Sequence, residues 1–306
     1  MLRRQLKRQC TTSDVPLHAA DPDHAGEQEN DWDVCAELVD DTLAAIQLLT
    51  SRSAAGFAAI DLPPLVLWHQ LYTVFPNRTF IDQSIHRLRN AGALVTFRVP
   101  TGADEVALMP MAAYVGELEK WLRVLRDQRE RQARQPQQQV ADPSITSKHD
   151  AVARFIRVLP SISQLPSITL RVLIEELRKR QTLSLATTTP PTAAASDDAD
   201  QSFRDDIVWL QRLGFIRQLA RLDDEVFHLS VPGVGTLVSA VKKTRTAVLA
   251  TLKRTKYKEA AEAQLKKTRL KHSSFDWNYH LADLEGLGLV RRTKVTSGVL
   301  VALAER

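Results

Sequence analysis

Residues 87–99 read RLRNAGALVTFRV. Apolar side chains at helical spacing run up to Asn90-Ala91-Gly92, where glycine can take the left-handed conformation that closes a helix. From Leu94 to Val99 apolar and polar residues then alternate, the period of a strand with one wet face. Two later stretches follow the same plan, WLQRLGFIRQLAR at 209–221 and DLEGLGLVRRTKV at 283–295. Each is a helix end, a glycine and an alternating strand. The repeat lies in the order of elements rather than in letter identity, at intervals of roughly 100 residues.

Working outward from the first joint gives a whole unit. Leu38, Thr42, Ala45, Ile46 and Leu49 have helical spacing. Leu62-Pro63-Pro64 suits a helix start, because proline is tolerated in a first turn. The set Leu65, Leu67, Trp68, Leu71, Tyr72 and Phe75 predicts a second helix, broken at Pro76-Asn77. Asn77 or Thr79 can cap a third, carrying Phe80, Ile81, Ile85 and Leu88. Strands at 94–99 and 105–109 are joined by Pro100-Thr101-Gly102-Ala103-Asp104, a hairpin composition. Three helices followed by a hairpin is the layout of a winged helix. A helix from Met111 through Arg134 extends it.

The second and third joints predict the same layout. Helices at 148–159, 168–179 and 201–213 precede strands at 215–219 and 225–229. Helices at 237–252, 257–266 and 275–287 precede strands at 289–295 and 299–303. The expected fold is therefore α+β and helix-rich, with three tandem winged-helix domains at 37–135, 136–230 and 231–306. Residues 1–36, polar and without apolar periodicity, predict a disordered tail. TTTPPTAAASDDA at 187–199 predicts a flexible low-complexity insertion in the second domain.

Composition narrows the function classes. The formal net charge is +5, but residues 231–306 hold 15 Lys and Arg against 6 Asp and Glu, a net of +9 that leaves −4 for the rest. That asymmetry points to a polyanionic partner for the last domain. No apolar run approaches the roughly 20 residues needed to span a bilayer. The basic start MLRRQLKRQC has no apolar segment after it, so no secretory signal is read. Cys10 and Cys35 have no metal-site spacing, which fits a reducing compartment and no metal or other cofactor.

Catalytic motifs are missing. Gly233-Val234-Gly235 is the nearest approach to G-x-G-x-x-G, and Val238 stands where the third glycine belongs. There is no phosphate-loop lysine, no H-E-x-x-H, and neither the H-R-D nor the D-F-G that phosphoryl transfer needs. The scattered histidines, His280 among them, receive no catalytic role. The chain reads as a non-enzyme.

The basic tract from 241 to 271 is the remaining signal. Ala247, Val248, Leu249 and Leu252 suggest a buried helix face. Lys242 and Arg245 are assigned to one side, extended by Lys253 and Lys256, as a ridge that follows phosphates. Arg291, Arg292 and Lys294 add a basic wing. The last helix of this domain has no Lys or Arg and carries Asp276, Asp283 and Glu285, so base reading by it is not expected. Contacts to the phosphates of double-stranded DNA position a protein without specifying sequence. The other reading is a protein-interaction adaptor with no DNA contact, since winged helices often bind protein.

LPPLVLWHQLYTVFPNRT at 62–79, VPGVGTLVSAVKKTRTAVLATLKRTKYKE at 231–259 and TSGVLVAL at 296–303 resemble the serine/threonine-protein kinase 19 family. The label supplies a third reading, a serine/threonine protein kinase, for which the metal and phosphate ligands are missing here; the resemblance instead implies a family of winged-helix repair factors. The resemblance implies three consecutive winged helices in a nuclear, DNA-binding protein able to form a homodimer. It also implies a role in transcription-coupled nucleotide excision repair. There such proteins help pass stalled RNA polymerase II and its repair proteins to the repair helicase complex. The family's DNA-contacting region falls on Lys242, Lys243, Arg245, Lys253, Arg254, Lys256 and Lys258. The chain departs from the family at Thr236 and Thr244 and is more lysine-rich after Glu259.

Overall fold

The computed structural model describes residues 41–102, 105–134, 144–165, 167–184, 194–219 and 225–304. Among the described residues the chain is helix-rich α+β with three small antiparallel sheets. The first segment runs α1 (Asp41–Ala58), β1 (Val66–Leu67), a 3₁₀ helix (Trp68–Thr73), α2 (Arg78–Asn90), β2 (Leu94–Arg98), β3 (Val106–Pro110) and α3 (Met111–Arg134). The second runs α4 (Ser144–Ile162), β4 (Ile168–Thr169), α5 (Leu170–Ser184), α6 (Ala194–Leu213), β5 (Ile216–Leu219) and β6 (Val226–Leu229). The third runs α7 (Val234–Arg254), β7 (Glu259–Ala261), α8 (Glu262–Lys267), α9 (Trp277–Gly286), β8 (Val290–Val295) and β9 (Gly298–Leu303).

The three sheets share one topology, β1-β3-β2, β4-β6-β5 and β7-β9-β8. In each, a strand of two or three residues near the start of the segment pairs with the last strand of the hairpin. That arrangement is consistent with the winged-helix layout.

Those short strands correct the sequence reading at three places. The apolar set from Leu65 to Phe75 is not one helix. Val66 and Leu67 pair with Leu108 and Ala107, and a 3₁₀ helix follows. The Gln70 carboxamide oxygen accepts from the Leu67 N–H at 3.0 Å and fixes this junction. Likewise Ile168–Thr169 is strand before α5 begins, and 259–261 is strand before α8. A strand this short is held by pairing across the fold, which overrides its local helical spacing. Two helices also run longer than read: α4 continues through Pro160, and α6 begins at Ala194, inside the segment read as an insertion. The expected tail at 1–36, the turn residues 103–104 and 223–224, and insertion residues 187–193 lie outside the described residues.

Local signals explain the helix ends that were read correctly. Asn77 caps α2, its side chain accepting from the Phe80 N–H at 3.2 Å. Gly92, Gly214 and Gly288 all have positive φ after their helices, and so turn the chain into the hairpin.

The segments share a core. One hydrophobic cluster runs from Phe57 and Leu67 in the first, through Phe155, Leu173 and Phe215 in the second, to Leu237, Phe275 and Tyr279 in the third. Tyr114 on α3 stacks edge-on against Phe97 and donates to the Ser230 carbonyl at 3.0 Å. Phe57 meets Phe275 edge-on at 4.8 Å. Burying each such ring contributes about 1.5–3 kcal/mol, so the third segment is fastened firmly to the first. A separate cluster of Val248, Leu252, Leu265, Leu281, Leu284, Val290 and Val301 lies under the third sheet.

Candidate nucleic-acid interface

Helix α7 buries Leu237, Val241, Thr244, Arg245, Val248 and Leu252. The stripe leaves the opposite side wet. Lys242 and Lys253 are three turns apart and fall within about 20° of each other around the axis, as do Lys243 and Arg254. All four are exposed. They form two short rows about 16 Å long on the side away from the core. Lys253 and Arg254 sit in the last turn, where the helix dipole favours positive charge.

The chain leaves α7 through a turn at 255–258 that exposes Lys256 and Lys258. Among the described residues no carboxylate forms an ion pair with Lys242, Lys243, Lys253, Arg254, Lys256 or Lys258. Their charge is therefore uncompensated by the described residues. By contrast, Lys266 further on is paired with Glu262.

Arg245 does not belong to this ridge, which corrects its assignment as a phosphate contact. It is 8% exposed and points into the body. Its Nη1 and Nη2 donate to the two Glu105 carboxylate oxygens, each at 2.7 Å. Its Nε and Nη2 donate to Asp283 at 2.7 and 2.6 Å. The physical reason is its place in the helix: Arg245 lies four residues after Val241 and three before Val248, inside the buried stripe. His69 also meets Asp283 Oδ1, at 2.8 Å, and Thr101 donates to Glu105 at 2.5 Å. Burial alone would raise the Asp283 carboxyl, but hydrogen bonds from Arg245 and then His69 outweigh it and hold it below its ordinary value. Glu105 is likewise lowered: burial raises it, and the bonds from Arg245 and Thr101 prevail.

The wing is less basic in effect than its letters. Val290 is in the core, so Arg292 and Lys294 share its side of β8, and Arg291 faces the other way. Arg292 Nε donates to Glu285 at 2.6 Å, and its guanidinium also lies near Glu262. Its charge is spent inside the domain. Arg291 and Lys294 are exposed, on opposite faces of the strand.

Helix α9 holds the place of the groove-reading helix, yet Tyr279, His280, Leu281, Ala282, Asp283, Leu284 and Gly286 are all buried. It docks on the 3₁₀ helix of the first segment, where Gln70 donates to the Tyr279 carbonyl at 3.2 Å. Most of the helix is thus taken up by packing within the protein. Sequence reasoning missed Glu105, His69 and Asp283 as partners of a buried arginine. The signal was present in Leu281-Ala282-Asp283-Leu284, an acid embedded in an apolar run.

Among the described residues no group of His, Cys, Asp and Glu could hold a metal ion, and no helix is long and apolar enough to cross a membrane.

The family described as inactive serine-threonine protein kinase 19 matches residues 39–303. A Xenopus laevis protein named winged helix repair factor 1 is 25% identical over 270 residues, which cover 88% of this chain and 86% of that one. The Homo sapiens protein of the same name is 26% identical over 265 residues, covering 86% and 85%. A Dictyostelium discoideum protein, again of that name, is 35% identical over 83 residues, 27% of this chain and 21% of its own.

Proposed function

The chain belongs to the inactive serine-threonine protein kinase 19 family, and from that premise we propose that it is a DNA-binding scaffold built from three tandem winged-helix domains, 37–135, 136–230 and 231–306. It is not an enzyme, and its relatives carry the name of a repair factor. In this reading it acts in the nucleus, in transcription-coupled nucleotide excision repair. It holds DNA near stalled RNA polymerase II while repair proteins and the repair helicase complex assemble, alone or as a homodimer.

The observation that carries the DNA contact is the set of six exposed cations, four on α7 opposite its buried stripe and two in the turn after it, without carboxylate partners among the described residues. A rigid row of this kind suits a phosphate backbone. With the reading helix buried, binding tolerates any sequence. Arg291 and Lys294 can add phosphate contacts from the wing.

The test is a fluorescence anisotropy titration of the full chain with a labelled duplex. The reading requires binding at low salt that weakens steeply as salt rises and differs little between sequences. No duplex binding at low salt, with partner proteins still held at high salt, would favour an adaptor instead.

A further inference from the structure

Tyr257 is 71% exposed, whereas the other large apolar side chains at the surface of the described residues are 38–45% exposed. It stands in the sequence Lys253-Arg254-Thr255-Lys256-Tyr257-Lys258, so cations flank it on both sides. The Lys256 ammonium lies 5.2 Å from the ring centroid.

The turn that carries this ring is fixed at both ends. The Thr255 N–H and hydroxyl both donate to the Leu252 carbonyl, at 3.2 and 2.7 Å. The Lys258 N–H donates to the Thr255 carbonyl at 3.1 Å, and the Lys258 carbonyl accepts from the Leu303 N–H at 3.0 Å. Lys258 has φ of +55°, a conformation that residues with a side chain seldom adopt. A backbone held this way presents the ring at a set place rather than leaving it on a loose loop.

An aromatic face among cations is the composition of surfaces that take single-stranded nucleic acid: bases stack on the ring while phosphates meet the charges. Within an intact duplex both faces of each base are already stacked. A flat ring therefore finds its complement where bases are unpaired. We propose that Tyr257 stacks on an unpaired base, so that this surface favours a junction of duplex and single strand over an uninterrupted duplex. The inference rests on the DNA-binding reading above and names the DNA structure that the site would take.

The experiment uses the full chain, a blunt duplex, and the same duplex with a central bubble of unpaired bases, with affinities read by anisotropy. The wild type is expected to bind the bubble about tenfold more tightly, in keeping with one base–aromatic stack. Y257A should lose that preference and keep its affinity for the blunt duplex, and Y257W should retain it. A wild type without the preference, or a Y257A variant that keeps it, overturns the proposal. The two readings can fail separately. Blunt-duplex binding without bubble preference removes only the stacking role, whereas no binding to either DNA removes both.

Discussion

Arg245 and Asp283 are joined by two hydrogen bonds, Nε to Oδ2 at 2.7 Å and Nη2 to Oδ1 at 2.6 Å, with both side chains buried. They link α7 to α9 within the third segment. The same guanidinium grips Glu105, which precedes β3 of the first segment. Helix α7 thus has two opposed roles. Its inner side clamps the first and third segments together, and its outer side holds the row of exposed cations. The clamp fixes how that row is presented.

Replacing Arg245 by methionine keeps the bulk and removes the charge. Glu105 and Asp283 would then be left buried without their counter-ion. Breaking such a pair costs about 3–5 kcal/mol, and urea denaturation should show a loss of that order. Duplex affinity of the folded variant should be unchanged. Weaker DNA binding at unaltered stability would return Arg245 to the phosphate contact.

Gly286 marks where α9 comes closest to the first segment. A β-carbon there would lie 2.0 Å from the His69 carbonyl oxygen and 2.6 Å from its carbon, both backbone atoms. Gly286→Ala should therefore destabilise by about 1–3 kcal/mol or more. At Gly116, within α3, nothing lies within 4 Å of such a carbon. Gly116→Ala should stabilise by about 0.5–1 kcal/mol. Thermal melts of the two variants should shift in opposite directions.

Burial pushes His280 down to about 4, against the pull of the Asp283 and Asp276 carboxylates. Its Nε2 meets Ser273 Oγ at 2.7 Å, and Nδ1 is buried with no hydrogen-bond partner among the described residues. A folded-state value below the unfolded one means that the unfolded chain takes up the proton first. The stability from this group is complete above about 6.5 and is lost as pH falls towards about 4. Between neutral pH and pH 5 the loss should be about 2 kcal/mol. Urea denaturation at the two pH values should show it for the wild type and not for His280→Gln. An equal loss in the variant would contradict the assignment.

Much of the architecture was legible because its signals are local. Leu118, Trp121, Leu122 and Leu125 delimit α3, which spans Met111–Arg134 as read. Asn77 and the three joint glycines fix ends that need a cap or a positive φ. The short strands β1, β4 and β7 were hidden, because two or three residues have no period of their own and their partners lie about 40 residues or more away. In the candidate interface Lys242, Lys243, Lys253, Arg254, Lys256 and Lys258 are exposed as read. Arg245 and Arg292 were misplaced, since the letter for a cation does not show which acid it faces. For Arg245 its position between Val241 and Val248 in the helical stripe gives the answer; for Arg292 the strand alternation from buried Val290 does so.

The most direct test of the account is the salt dependence of duplex binding, for the wild type and for the combined variant Lys253→Glu, Arg254→Glu, Lys256→Glu. With each phosphate contact contributing about −0.9 to the slope of log affinity against log salt, the variant should bind more weakly at low salt. Its slope should be shallower by roughly 2.7, and its urea midpoint should fall only slightly, because all three side chains are exposed and the two in the last turn of α7 each give up about 0.3–1 kcal/mol of favourable interaction with the helix dipole. Equal affinity and equal slope for the two proteins would contradict the assignment of this ridge as the DNA contact.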